Sequence, residues 1–324
     1  MEFKNDNKTL VDKIVDKMKC KRSSARTYAS TIRRIGTTFF GEYKKSLKFL
    51  EEKGLLAKIK KHDSSLHTKR NLVNGVIIGL KLLDEEALSR PFHKYLLELN
   101  KAVDERSKSG ELTEKQLAKT ISWEKVVKLR KLLAKQLRLS QAMKRKEVGP
   151  RDMKVVNEHL AVCVMSMTPP TRLDWATVSF HNKKGFANIK EKNQNYLVFR
   201  RGAVVIYWNN FKTVGKIGSV SHELPKPLAT ILRRHAKFMR EHFPDNDRLF
   251  LNSRLEPMSR QTFGKLLENL FFRYFKKKIS VSALRRIYLS SKYSHSKILE
   301  AQEDAKKMLH SVKTAQSHYI KETK

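Results

Sequence analysis

The sequence predicts a mainly α-helical protein with a small antiparallel β-sheet, divided into two domains. Three observations support this fold class. Apolar residues recur every three to four positions over most of the 324 residues. Three short runs rich in Val, Ile, Tyr and Phe interrupt that period between residues 195 and 224. A hydrophobic content of 40% in a chain of this length is enough for two domains of roughly 100–200 residues each.

Residues 1–105 are predicted to form a helical domain. Apolar side chains at helical spacing indicate four helices between Leu10 and Leu83, and Phe92 to Val103 indicates a short last helix after Pro91 interrupts the pattern. The opposite helix faces are rich in Lys and Arg. We therefore expect a compact helical domain with one basic face.

Residues 106–120 are polar and charged and include Gly110, a composition typical of an interdomain linker. The catalytic domain is then predicted to span residues 121–324. Its first helix begins at Trp123, and a buried helix covers Leu160 to Met167. The predicted strands are Asn195 to Phe199, Ala203 to Asn209 and Ser219 to Leu224. The predicted later helices are Leu228 to Phe243, Ser259 to Phe275, Ser280 to Tyr293 and Ser296 to His310, and Ser259 and Ser296 are predicted N-caps.

The charge balance predicts a polyanionic partner. The chain has 69 Lys and Arg against 32 Asp and Glu, a formal net charge of +37. Cations set against phosphates release counterions from DNA or RNA whatever the base sequence, so a general nucleic-acid-coating protein also fits this charge. A membrane surface fits less well, because no apolar run approaches about 18–20 residues and no signal sequence begins the chain.

The two cysteines, Cys20 and Cys163, lack the spacing of metal ligands, so the sequence predicts neither a disulfide nor a metal site. This use of cysteine favours a reducing intracellular compartment, such as the nucleus, the cytoplasm or a viral factory.

Tyr319 is a candidate nucleophile near the end of the sequence. A phenol is a poor nucleophile at neutral pH, so covalent chemistry would need cations to stabilise an anionic transition state. The chain supplies such cations at Arg172, Lys212 and Arg285, and His310 lies nine positions before the tyrosine.

These residues resemble the catalytic set of the tyrosine recombinases, the phage-type integrases. Pro169-Pro170-Thr171-Arg172-Leu173-Asp174 is similar to the family's first arginine box. Lys212 falls between the second and third predicted strands, where the family has its lysine. Leu284-Arg285 is similar to the second arginine box, and His310 with Tyr319 has the spacing of the third. The amino-acid sequence from Arg172 to Trp175 is most similar to that of integrases of large eukaryotic DNA viruses, virophages and related mobile elements.

The resemblance implies a role for each residue. Arg172 and Arg285 would clamp the non-bridging oxygens of a DNA phosphodiester bidentately, which lysine cannot do. Lys212 would protonate the leaving 5′-oxygen, although Lys216 lies in the same turn. His310 would donate a hydrogen bond to the phosphate, and Tyr319 would form a 3′-phosphotyrosyl bond. Because that bond conserves energy, no cofactor or obligatory metal is expected.

Two further positions concern the arginine boxes. Asp174 is predicted either to support Arg172 or to interact favourably with a local helix dipole. Ser282 stands where the family has the His of its His-x-x-Arg motif. A hydroxyl can donate a hydrogen bond to a phosphate oxygen, but it cannot hold positive charge or act as an efficient general base. We therefore assign no general-base role to Ser282.

The partners that the resemblance implies are double-stranded DNA and further copies of the chain, without a small-molecule substrate. Only residues 320–324 follow the tyrosine, so any exchange between protomers is expected to use residues 296–319, or a monomer is expected to assemble into a tetramer on DNA. The DNA-binding candidates in the first domain, which resembles the family's core-binding domain, are Arg22, Arg26, Arg33, Arg34, Lys69 and Arg70.

Two other functions remain open from the sequence. A type IB topoisomerase or a telomere resolvase would use the same five residues for swivelling or for hairpin formation. A DNA-binding relative that has lost activity is the non-enzymatic alternative, and Ser282 is the feature that favours it.

Overall fold

A computed structural model describes residues 7–42, 46–108, 110–294, 296–298 and 300. The chain forms two compact units that divide between Glu111 and Leu112, within the predicted linker. We call them unit 1 and unit 2. His310 and Tyr319 lie outside the described residues, as does most of the helix predicted from Ser296.

Unit 1 is entirely helical in its described part. Its α-helices are α1 (Asn7–Met18), α2 (Arg22–Phe40), α3 (Leu55–Lys61), α4 (Leu66–Leu82) and α5 (Glu86–Lys108), and a 3-10 helix covers Leu47–Glu51. Helix α4 is central and packs against the other four. Its buried apolar residues, such as Leu72, Val76 and Leu80, form one core with α2 residues such as Ile32.

Two glycines let neighbouring elements approach α4 closely. A Cβ at Gly79 would lie 2.1 Å from Cδ1 of Leu50, and one at Gly75 would lie 2.8 Å from Cγ2 of Thr31. Any larger residue at Gly79 would therefore displace the side chain of Leu50.

The predicted break at Pro91 is wrong. Helix α5 begins five residues earlier, at Glu86, and includes Pro91. Pro91 is the sixth residue of this helix, so it removes one internal hydrogen bond, the one to the carbonyl of Ala87, and the helix continues because it packs along α4. The helix also extends to Lys108, into the predicted linker.

The second half of the predicted linker is ordered within unit 2. Helix α6 (Glu114–Leu117) begins with a capping box, in which Thr113 and Gln116 satisfy each other's backbone amides. The backbone carbonyl of Thr120 then accepts a hydrogen bond of 2.9 Å from Nζ of Lys277. Residues 113–120 are thus attached to unit 2.

Unit 2 combines helices with one sheet. Its longer helices are α7 (Trp123–Ser140), α8 (Pro150–Ser166), α11 (Lys226–His242), α12 (Arg260–Phe275) and α13 (Val281–Lys292); its other short helices are α9 (Lys183–Ala187) and α10 (Val214–Ile217). Helix α8 is central, because residues 156–165 are buried on all sides and α7, α11 and α12 pack around it. The prediction of a mainly helical fold with a small sheet is confirmed.

The sheet differs from the prediction in being mixed and four-stranded. Its strands are β1 (Ser179–Asn182), β2 (Tyr196–Phe199), β3 (Val204–Trp208) and β4 (Val220–Glu223), in that order across the sheet. Strands β2, β3 and β4 form the predicted antiparallel set, and β1 pairs parallel to β2 with Phe180 opposite Leu197. No described helix is long and apolar enough to cross a membrane.

Candidate active site

The first arginine box lies between α8 and the sheet rather than at the start of an α-helix. Arg172 occupies a bend and is exposed, and Asp174 begins a 3-10 helix that ends at Thr177. The next residue, Trp175, is buried and packs edge-on against Trp208 of β3, with ring centroids 5.1 Å apart. The box is therefore anchored to the sheet through Trp175, while Arg172 faces solvent.

Asp174 is buried two residues after Arg172. Burial raises the pKa of Asp174 above its ordinary value, and the positive charges of Arg260 and Arg172 oppose that rise. The backbone amides of Arg172 and of Asp174 itself also both lower the pKa of its side chain. The amide of Arg172 agrees with the first predicted role of this carboxylate and the amide of Asp174, at the start of the 3-10 helix, agrees with the second, so the choice between the two roles remains a prediction.

Lys212 lies in the connection between β3 and β4, as predicted. Phe211 before it packs against the core of unit 2, whereas Lys212 itself is exposed. Lys216 is also exposed, on the short helix α10. Within the described residues, neither lysine makes a side-chain hydrogen bond or an ion pair. Exposure therefore does not decide between them, and the choice of Lys212 over Lys216 remains a prediction.

Asn195 fixes the end of strand β3. This buried side chain accepts hydrogen bonds from the backbone amides of Asn209 and Asn210, at 3.0 and 2.8 Å, and donates one of 2.9 Å to the carbonyl of Asn210. The backbone two residues before Lys212 is therefore held by one buried carboxamide.

Arg260 connects the arginine box to the lysine loop. Its Nη2 lies 3.3 Å from Oδ1 of Asp174 and donates a hydrogen bond of 3.1 Å to the carbonyl oxygen of Asn210. One guanidinium thus contacts Asp174, the predicted support of Arg172, and the backbone that precedes Lys212. We call these three residues, Asp174, Asn210 and Arg260, the bridging network.

The position of Arg260 follows from its helix. Ser259 caps α12 by accepting a hydrogen bond from the amide of Thr262, as the sequence predicted, so Arg260 is the first helical residue. One turn later, Gly264 allows a close approach by Leu173, because a Cβ there would lie 3.4 Å from Cδ2 of that leucine. Helix α12 is thereby held against the arginine box at two levels.

A cleft of about 480 Å³ lies beside the bridging network. Two guanidinium groups, those of Arg248 and Arg260, line it together with the polar side chains of Thr177, Gln194, Asn195 and Asn210. No carboxylate is among its lining residues in the described part of unit 2. Both guanidinium groups nevertheless form ion pairs with carboxylates outside the lining, Arg248 with Asp247 and Arg260 with Asp174.

The second arginine box lies on α13. Ser280 caps this helix, and Val281, Leu284 and Ile287 bury one face. Ser282 is exposed and Arg285 half-buried; three positions apart, they share the other face. Ser282, which stands where the recombinases have a histidine, therefore presents an exposed hydroxyl on the same helix face as Arg285.

The structure separates the roles of the adjacent arginines in this box. Nη2 of Arg286 donates hydrogen bonds of 2.9 Å to both the carbonyl of Gln116 and Oγ1 of Thr120, and burial lowers its pKa. Arg285 makes no hydrogen bond or ion pair within the described residues. Arg286 therefore anchors α13, and Arg285 is the arginine left available to a ligand.

Contacts join some of the predicted site residues but not all. The bridging network connects the neighbourhoods of Arg172 and Lys212. Arg285 lies on a helix that packs against α12, but no hydrogen bond or ion pair in the described part of the chain joins it to the bridging network. Asn195 and Arg260 were not predicted: a carboxamide at a strand start and one basic residue among 69 give no signal in the sequence.

The DNA-binding candidates of unit 1 differ in their environments. Arg26 and Arg34 are exposed on α2. Arg22 forms an ion pair with Asp12, and Nζ of Lys69 donates a hydrogen bond of 2.7 Å to the carbonyl of Lys60. Arg33 and Arg70 are half-buried. The assignment of these six residues to DNA binding remains a prediction.

Comparison with solved structures finds the crystal structure of XerA recombinase. The match has a TM-score of 0.34 and 13% sequence identity, and it covers 96% of this chain and 92% of that chain. A likeness this weak supports no inference about activity, which rests instead on the residues described above. No protein-family model matches the chain, and a search of curated proteins finds no match.

Proposed function

We propose that this protein is a tyrosine-type DNA recombinase that cleaves and rejoins DNA strands through a 3′-phosphotyrosyl intermediate. The observation that supports it best is the bridging network, in which Arg260 contacts both Asp174, the predicted support of Arg172, and the backbone before Lys212. A phosphoryl-transfer site needs a phosphate clamp and a proton donor held at fixed separation, since a displacement of about 1 Å can cost 100-fold in rate. Arg260 supplies that connection between elements far apart in sequence.

The proposed chemistry is an in-line displacement at phosphorus. The phenolic oxygen of Tyr319 forms a bond to phosphorus, and the bond from phosphorus to the 5′-oxygen breaks. Lys212 transfers a proton to the departing 5′-oxygen, and the phenolic proton passes to water. Arg172 and Arg285 stabilise the charge on the non-bridging oxygens, and His310 donates a hydrogen bond to the same phosphate. A 5′-hydroxyl of another strand then reverses these steps and releases Tyr319.

Ser282 is proposed as a hydrogen-bond donor to the phosphate and not as a base. Its hydroxyl shares the face of α13 with Arg285, which places both side chains toward the same surroundings.

We propose double-stranded DNA as the partner, with a tetramer of the protein forming on it. The nearer resemblance to viral and mobile-element integrases also remains part of this proposal.

A suicide substrate tests the proposal. Duplex DNA nicked close to the scissile phosphate loses a short oligonucleotide after cleavage, so a covalent protein–DNA adduct accumulates. We expect an adduct with the wild-type protein and none with Tyr319→Phe. Absence of an adduct over a range of salt concentrations would favour the inactive DNA-binding alternative. Relaxation of supercoiled DNA without exchange of strands between two sites would favour the topoisomerase alternative.

The two lysines of the β3–β4 connection provide a matched pair for the proton-donor role. Lys212→Met is expected to slow cleavage by roughly 100-fold or more, within the range for loss of a general acid, and Lys216→Met to leave it unchanged. A substrate with sulfur in place of the 5′-oxygen has a leaving group that needs no proton, so it should restore cleavage by Lys212→Met. Failure of the sulfur substrate to restore it would contradict the role of Lys212.

A further inference from the structure

Unit 2 contains a cavity that is larger than the cleft beside the bridging network. It has a volume of about 560 Å³ and lies between helices α8 and α12 and the loop that precedes α12. We call it the α8–α12 cavity. Of its lining residues, only Met258 also lines the cleft, and none is a predicted catalytic residue in the described part of the chain. The proposed chemistry therefore leaves this cavity without a role.

Part of the wall of the α8–α12 cavity is apolar. Leu251, Met258 and Leu270 are buried there, and Leu266 is half-buried on α12. The volume lies within the range of about 300–1,000 Å³ that is typical of sites for small organic molecules. The size and the apolar wall together favour a ligand with an apolar body over a small inorganic ion.

Asn157 adds an unsatisfied hydrogen-bond acceptor to this cavity. The residue lines the cavity and is only 3% exposed. Its Nδ2 donates a hydrogen bond of 2.7 Å to the carbonyl oxygen of Leu251, which fixes the orientation of the carboxamide. Its Oδ1 is shielded from solvent and accepts no hydrogen bond within the described residues. Because a buried acceptor without a donor costs free energy, a ligand with an N–H or O–H group would gain by binding at this oxygen.

Three cations at the cavity make no interaction with the rest of the described chain. Arg151 and Lys154 are exposed on α8, and Lys265 is exposed on α12. None of them forms a hydrogen bond or an ion pair in the part of the chain that the structure describes. We call them the rim cations. The one carboxylate among the described lining residues, Glu158, is already paired with Arg273. The charge of the lining is therefore complementary to an anionic group.

We propose that the α8–α12 cavity binds a small amphipathic anion. The apolar body of the ligand lies against the leucines, an N–H or O–H group donates to Oδ1 of Asn157, and an anionic group lies at the rim cations. This site is separate from the one proposed for DNA cleavage. The inference goes beyond the proposed function and does not rest on it.

Three related fluorescent compounds test these features on the whole chain. Dansylglycine combines naphthalene rings, a sulfonamide N–H and a carboxylate. Dansylsarcosine has a methyl group in place of the N–H hydrogen, and dansylglycinamide has a neutral amide in place of the carboxylate. Dansyl fluorescence rises in apolar surroundings, so a titration gives each dissociation constant. We expect dansylglycine to bind most tightly, dansylsarcosine roughly five- to tenfold more weakly and dansylglycinamide roughly two- to fivefold more weakly.

Variants assign these differences to residues. Leu266→Trp would fill part of the cavity and should lose most of the fluorescence change with all three compounds. Asn157→Leu removes the acceptor and should bind dansylglycine and dansylsarcosine equally. Lys154→Gln combined with Lys265→Gln should narrow the difference between dansylglycine and dansylglycinamide. Lys131→Gln is the matched control, because it removes an exposed cation of α7 that does not line the cavity, and it should behave as the wild-type protein.

The comparison of the three compounds on the wild-type protein does not depend on whether a variant folds. Equal binding of dansylglycine and dansylsarcosine, or no binding of dansylglycine, would overturn the inference. Unchanged binding by Leu266→Trp would place the compounds elsewhere on the protein and would also overturn it. Because these titrations contain no DNA, their result is separate from the formation of an adduct at Tyr319, so either proposal can fail while the other stands.

Discussion

Replacing Arg260 by methionine would remove the bridging network while keeping much of the apolar stem of the side chain. Two interactions are lost: the 3.3 Å contact with Oδ1 of Asp174 and the 3.1 Å hydrogen bond to the carbonyl of Asn210. The lysine loop keeps its other support, since Asn195 still donates to the same carbonyl. The predicted defect is therefore partial.

The size of the defect follows from the exposure of the two partners. Removing one partner of a fully buried ion pair costs about 3–5 kcal/mol, because the other charge is left uncompensated. The side chain of Asp174 is 9% exposed but that of Arg260 is 42% exposed, so solvent already screens the pair. We expect a loss of about 1–2 kcal/mol in the free energy of unfolding. If the same free energy is lost in positioning Arg172 and Lys212, cleavage should slow by roughly 5- to 30-fold.

The pH dependence of this defect has a definite sign. Arg260 is the largest influence that opposes the burial-raised pKa of Asp174, so its removal should raise that pKa further. The carboxyl is then harder to ionise when folded, and the stability deficit of Arg260→Met should be greatest at neutral pH. As the pH falls toward 3.8, the ordinary pKa of the group, Asp174 becomes protonated and the deficit should shrink.

The assay combines urea unfolding at several pH values with single-turnover formation of the covalent adduct. Arg254→Met is the matched control, because this exposed arginine lies in the turn before α12 and its side chain has no described partner. In the Asp174→Asn background, Arg260→Met should cost less, since the two side chains are coupled. Equal stability and cleavage rate for Arg260→Met and Arg254→Met would refute the bridging role.

Three further predictions concern stability and reactivity. Burial lowers the pKa of His159 to about 4, so the imidazole must stay neutral in the folded protein while it is protonated in the unfolded one below pH 6.5. Unit 2 should therefore lose on the order of 2–3 kcal/mol of stability as the pH falls from 6.5 to about 4. Urea unfolding of His159→Gln should show a weaker dependence of stability on pH over that range. Gly79→Ala should destabilise unit 1 by about 1–3 kcal/mol in thermal unfolding because its Cβ would overlap Leu50, whereas Gly215→Ala, with open space around it, should be close to neutral. Burial raises the pKa of the Cys163 thiol to about 12, so peptide mapping after brief alkylation of the folded protein should find this thiol unmodified while the half-buried Cys20 reacts.

The helices were predictable because each depends on a local signal. Ser259 was predicted to cap α12, and the structure confirms it; the helix predicted to begin at the other cap, Ser296, lies mostly outside the described residues. Pro91 was misleading because the packing of α5 along α4 offsets the one hydrogen bond that the proline removes, and the apolar pattern does not show that packing. Strand β1 was not predicted, because it has only four residues and pairs parallel with a strand beyond α9, so no hairpin turn adjoins it in the sequence.

The candidate site was predictable only at the level of residue type and order. In the sequence, Arg285 was chosen over Arg286 by resemblance alone. The hydrogen bonds of Arg286 to residues 116 and 120 give a physical reason for that choice, because they occupy the guanidinium of Arg286. Arg260 was missed because its importance arises from contacts with Asp174 and Asn210, both distant in sequence. Such through-space contacts leave no local pattern.

Mapping the covalent bond tests the central claim most directly. The adduct formed on the suicide substrate would be digested with protease and nuclease, and the nucleotide-bearing peptide sequenced by mass spectrometry. We predict a single phosphotyrosyl linkage at Tyr319, formed by the wild-type protein and lost in Arg172→Ala and Arg285→Ala. A linkage to another residue, or one that persists without both arginines, would contradict this prediction.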